Sequence, residues 1–90
     1  MTDLMLMTDV KQALTAQSRN IQGAPTLYPK GIFGCERPFV AYTVAAQNFY
    51  PVLAYVDGRI GNFLGRIDTS VTIAPDDEGN ELVAVIMKPR

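Results

Sequence analysis

Few side chains in this sequence are equipped for chemistry. Cys35 lies between Gly34 and the pair Glu36-Arg37, where a guanidinium would favour the thiolate, the nucleophilic form of the residue. A lone cysteine flanked by Phe33 and Phe39 is more often a small buried hydrophobe, and that core role is the one expected. The chain has no histidine, so the commonest general base, the commonest metal ligand and every Ser-His or Cys-His nucleophile pair are missing. Asp76, Asp77, Glu78 and Glu81 gather around Gly79 and suggest calcium. An EF-hand loop, however, carries its glycine at the sixth position, which would put Ala74 where the first Asp belongs. The cluster reads instead as a solvated turn. Gly58-Arg59-Ile60-Gly61 and Gly65-Arg66 imitate a phosphate loop but lack the Gly-Lys-Ser or Gly-Lys-Thr ending that such a loop requires. The expectation is a chain with no catalytic residue, no metal and no cofactor.

What remains is binding. The stretch from Thr26 to Phe33, with Arg37 behind it, sets Tyr, Phe, Lys and Arg on a glycine and proline scaffold. These residue types anchor interfaces because they bury much area at small entropic cost. Arg59, beside Gly58 and Gly61, is a second cation suited to a carboxylate or phosphate. The candidate contact residues are therefore Tyr28, Lys30, Phe33, Arg37, Tyr42 and Arg59, and the expected partner is another protein. The competing expectation is a small anionic metabolite or nucleotide gripped by Arg59, Lys30, Arg37, Tyr28 and Tyr42, with a subunit interface as one place for it.

Composition limits the partners further. Eight basic and nine acidic residues give a net charge of −1, and the basic ones are scattered singly. Duplex nucleic acid is disfavoured, because phosphate backbones are held by clustered Lys and Arg. So low a net charge leaves copies of the chain with little mutual repulsion, and a homo-oligomer is expected. A single cysteine fits a reducing, cytoplasmic compartment. The opening Met-Thr-Asp-Leu-Met-Leu-Met-Thr-Asp lacks the basic start of a secretory signal. The longest apolar run, residues 82–87, is far short of the ~20 residues of a membrane-spanning helix. The length and the lack of catalytic equipment suit an inhibitor or accessory protein of the phage or mobile-element kind, by analogy of size alone.

The elements that must position these residues make an α+β expectation: one domain over residues 1–90, with an N-terminal amphipathic helix on a small antiparallel sheet arranged as a meander of about four strands. Residues 3–20 lack Gly and Pro, and Leu4, Met7, Val10 and Leu14 recur at helical steps, with Thr8 or Asp3 as cap. Residues 23–38 carry too many breakers for a helix and read as a packed loop with a short edge strand, followed by a sheet over 39–88. Within that sheet, a turn at Gly61-Asn62 would pair Val56 with Ile67 and Val52 with Val71 on an apolar face, and Asp57 with Arg66 and Tyr55 with Asp68 on a polar one. A second hairpin turns at residues 75–80. Its last strand, apolar at every position over 82–87, is expected at the centre of the sheet with both faces covered, one by the helix and the other by a second subunit or, instead, by the 23–38 loop.

Overall fold

A computed structural model describes residues 2–32 and 36–90. Helix α1 spans Asp3–Thr15, and the Thr2 hydroxyl caps it by accepting from the Met5 amide at 3.1 Å. A 3₁₀ turn at Ser18–Asn20 leads into strand β1, Gln22–Tyr28, so the expected helix ends some five residues early and the expected loop opens with a strand. Strand β2 follows at Phe39–Ala45, then helix α2 at Phe49–Ile60, a single helical turn α3 at Phe63–Arg66, and the hairpin of β3, Ile67–Pro75, with β4, Glu81–Pro89.

The α+β architecture is as expected, with four antiparallel strands in the order β1-β2-β4-β3. That order is not a meander. The chain leaves β2 through α2 and α3, reaches the far edge as β3, and turns back so that β4 slots between β2 and β3. Strand β4 is central, as its all-apolar sequence implied, and it pairs with β2 over residues 82–87 and with β3 over 81–89.

The first hairpin expected from the sequence does not form. Residues 51–60 are helical, Asp57 and Arg66 lie on separate helical segments, and Gly61-Asn62 joins two helices. Alternation at Val52, Ala54 and Val56 imitated a strand, but Phe49, Val52, Leu53, Val56 and Ile60 are also spaced by three, one, three and four, which is one stripe of a helix. That stripe prevailed: Val52 and Val56 are fully buried, and Phe49, Leu53 and Ile60 pack on the core around them. Pro51 is tolerated because it lies in the first turn, where an amide has no helical acceptor. The breaker at Gly61 is real but ends a helix, its amide donating to the Asp57 carbonyl at 2.9 Å with φ +73° and ψ 141°.

Both main helices lie on one side of the sheet. From α1, Met7, Val10 and Leu14 meet Val40, Tyr42 and Val44 of β2 and Val83, Val85 and Met87 of β4 in one cluster that also takes in Val52, Val56, Phe63 and Ile67. Each large apolar side chain fully buried in this way contributes about 1.5–3 kcal/mol. The shortest dimension of the molecule, 20 Å, is that of two layers.

Opposite outcomes are expected for one substitution at two glycines. Gly58 sits mid-helix with open space where a Cβ would project, so Gly58→Ala should stabilise by about 0.5–1 kcal/mol. Gly61 has equal space but a backbone conformation that side chains avoid, so Gly61→Ala should destabilise by about 1–3 kcal/mol. Urea unfolding of the two variants measures both. Equal effects of one sign would contradict a helix ending at Gly61.

Candidate functional site: the outer face of the sheet

Strand residues alternate between two faces, and the ladder registers assign each one. Val40, Tyr42 and Val44 pair with Met87, Val85 and Val83 beneath the helices. Ala41, Thr43 and Ala45 pair with Ile86, Ala84 and Leu82 and point the other way, where Thr26 of β1 and Ser70, Thr72 and Ala74 of β3 join them. No described element covers this outer face: Ala84 is exposed and Ile86 retains 43% of its accessible surface. A solvated sheet face ordinarily carries long polar and charged side chains. Here the charged pair Lys88 and Asp68, 3.9 Å apart, stands at one end, and the rows from Thr26 to Ala74 carry no charge. Between β1 and β2 the register slips from Gln22/Thr43 to Thr26/Ala41, and beside that irregularity a shallow cavity of about 300 Å³ opens against Ala84 and Ile86.

At the Lys88 end, Tyr28 stacks on Phe39 with centroids 4.5 Å apart and planes inclined by 18°. This is where the structure gathers part of the sequence-derived site. Lys30 follows in an exposed turn closed by the Gly31 amide donating to the Tyr28 carbonyl at 3.2 Å. Arg37 precedes β2 and donates to Asp3 Oδ2 at 3.0 Å and to the Arg90 carbonyl at 3.2 Å, fastening α1 to the end of β4. Phe33 and Cys35 lie outside the described residues.

The other two candidates are elsewhere. Tyr42 faces the helices with 4% of its surface accessible and belongs to the core. Burial raises its phenol well above the ordinary value, and its hydroxyl has no hydrogen-bond partner among the described residues. Arg59 is on α2, donating to the Tyr55 hydroxyl at 2.9 Å with its guanidinium 5.8 Å from that ring's centre. It lines a cleft of about 280 Å³ with Asp9, Gln12 and Arg66, and Arg66 donates to the Ile60 carbonyl at 2.8 Å, satisfying the end of α2. Two cations and one acid thus share that cleft, and neither Tyr28 nor Lys30 lines it.

The acidic turn is organised by itself: Asp76 Oδ1 accepts from the Glu78 and Asn80 amides at 2.9 and 2.8 Å, the pattern of an Asx turn. Among the described residues no group of three potential ligands could hold a metal ion, and no helix is long and apolar enough to cross a membrane.

Sequence reasoning missed a second apolar patch. Tyr50 and Leu64, the most exposed large apolar side chains described, border a groove of about 330 Å³ with Leu53, Ala54, Asp57 and Phe63. Assigning residues 51–71 to a hairpin hid it, because only the helical period brings residues 50, 53, 54 and 57 to one side. Comparison of the chain with protein-family models, with curated proteins and with solved structures returned no match.

Removing the orphan hydroxyl should help the fold. Tyr42→Phe keeps the ring and deletes a buried polar atom without a partner, so a gain of about 1 kcal/mol in urea unfolding is expected. The sign of the pH effect follows from the raised phenol. Above about pH 10 the unfolded chain ionises while the folded Tyr42 stays neutral, so wild-type stability falls as pH rises through that range. Tyr42→Phe should lose this part of the alkaline decline. Identical alkaline profiles would show that Tyr42 is not buried as described.

Proposed function

We propose that this chain is a small, non-catalytic, homo-oligomeric protein-binding module, of the kind that inhibits or adapts a larger assembly, and that its partner docks on the outer face of the sheet. The observation that carries the proposal is the make-up of that face. Ala41, Thr43, Ala84 and Thr26 are small, Ile86 stands among them, and the Tyr28-Phe39 stack closes one end. Short side chains let another layer approach closely, and little side-chain entropy is lost when they are covered. Tyr28 supplies an aromatic rim at that end and Lys30 lies in the exposed turn that follows it, a composition expected around an interface core.

The Arg59 cleft supports a second reading, an anionic small ligand held by Arg59 and Gln12. Asp9 in the same cleft opposes an anion, which ranks this reading behind the first.

The test is retrieval of partners from the native host's extract by tagged wild type, Ile86→Lys and Arg59→Gln, with mass spectrometry of the proteins and small molecules retained. Ile86 is largely accessible, so its replacement should shift stability by about 0.5 kcal/mol or less, whereas a charge at the centre of an interface costs about 2 kcal/mol or more of binding. A protein kept by wild type and Arg59→Gln but lost by Ile86→Lys is the expected result. A retained partner indifferent to Ile86→Lys would move the site off the sheet, and a small molecule lost only by Arg59→Gln would favour the second reading.

A further inference from the structure

The two edges of the sheet are built differently. β1 is a broken edge: Gly23 has φ +67°, Pro25 has no amide hydrogen to donate, and the register slips between Gln22 and Thr26. Such features are the usual means by which proteins stop a second chain from adding to a sheet. β3, on the opposite side, has none of them in its interior. Its nine residues pair with β4 in unbroken register from Ile67 to Pro75, and its other edge has no partner strand among the described residues. After Asp68 the strand reads Thr-Ser-Val-Thr-Ile-Ala-Pro, without a charge and rich in β-branched residues.

β3 also carries apolar surface that this chain does not cover. Ile67, Val71 and Ile73 all point to the helix side, since they pair with Pro89, Val85 and Val83. Ile67 is buried under the core cluster, but Val71 is 44% and Ile73 63% accessible, because α2 and α3 leave that end of the strand bare.

We infer that two copies of the chain pair antiparallel through β3, about a two-fold axis at Thr72, to make one continuous eight-stranded sheet from the four strands of each. The strand's own pattern selects the second copy and the register. With the axis at Thr72, Val71 of one copy stands opposite Ile73 of the other, Ser70 opposite Ala74 and Thr69 opposite Pro75. Every pair keeps both members on the same face, the two accessible apolar residues cover each other twice, and the uncharged run 69–75 is matched from end to end with itself. Within 69–75 no charges are opposed; one step beyond, the register sets Asp68 opposite Asp76 of the other copy, a carboxylate held by the Glu78 and Asn80 amides of its own turn. Such an interface is isologous and closes at two copies. It also extends the outer face from one subunit into the next. The inference rests on the homo-oligomeric part of the proposed function and is independent of which protein docks on that face.

The experiment measures mass by light scattering at tens of micromolar for wild type and Ile73→Lys, and air-oxidised cross-linking for Thr72→Cys and Thr26→Cys, each in a Cys35→Ser background. Wild type should show twice 9.9 kDa. Ile73→Lys, altering a side chain already largely accessible, should return 9.9 kDa with an unchanged circular-dichroism spectrum. Thr72→Cys should form a disulfide-linked pair, because the axis brings the residue against its own copy, while Thr26→Cys on the broken edge should not. If Ile73→Lys fails to fold, the Thr72→Cys result decides. A wild type of 9.9 kDa would overturn both the homo-oligomer and the β3 pairing. An oligomer in which Thr72→Cys cross-links no better than Thr26→Cys would overturn the β3 pairing alone and leave the homo-oligomer standing.

Discussion

The pairing of β4 with two neighbours, while its alternate side chains Val83, Val85 and Met87 sink beneath α1 and α2, is the constraint on which the rest of this structure depends. A central strand has both backbone edges satisfied, so its remaining demands are for cover above and below. The helices meet one of these demands. Both main helices lie on that one face, and among the described residues no element covers the other. Leu82, Ala84 and Ile86 are the record of the unmet demand. The cover expected from the sequence as a second subunit is, in the folded chain, an open surface of definite composition.

Two different kinds of open surface remain among the described residues. The outer face exposes side chains, which another layer could cover. β3 exposes backbone at the sheet edge, which another strand could pair with. Val71 and Ile73 link the two, being apolar side chains left accessible where the helix layer is shorter than the strand beneath it. The helices cannot reach further without lengthening α2 past Gly61, which the positive φ at that residue and at Asn62 prevents.

The order of strands was not legible in the sequence, and the reason lies in residues 49–60. Val52, Ala54 and Val56 satisfy a period of two, while Phe49, Val52, Val56 and Ile60 satisfy a period of 3.6, and single-chain pattern reading has no means of choosing between them when the segment is short. The cross-strand match of Asp57 with Arg66 favoured the hairpin. Long-range packing decided otherwise, since a helix at that place buries Val52 and Val56 in the core cluster beside α1 while β4 takes the centre of the sheet. Elements with an unambiguous signal were legible: the amphipathic start, a strand opening at Phe39, which ends at Ala45 and not at Gln47, the hairpin turn within 75–80, and the central position of the apolar last strand. Of the candidate contacts, Tyr28 lies at one end of the outer face with Lys30 in the turn after it, and Arg37 fastens α1 to the end of β4. Tyr42 is in the core, where the sequence did not place it because nothing local distinguishes a core tyrosine from an interface one. Only its pairing with Val85, on the helix side of the sheet, does that.

The contrast between the edges bears on how such a small protein avoids uncontrolled growth. A sheet with two open edges can add chains indefinitely, whereas one with a single open edge can add only one, because after an antiparallel pairing about a two-fold axis the remaining edges are both copies of β1. In the proposed pairing, Gly23, Pro25 and the register slip would act as stops at the two ends of the doubled sheet. The irregularity in β1 has a second consequence, since the same slip opens the shallow cavity on the outer face beside Ala84 and Ile86. One local departure from regular pairing thus blunts an edge and shapes a surface. A glycine and a proline inside the first strand weaken the ladder there, and the same two residues blunt its free edge.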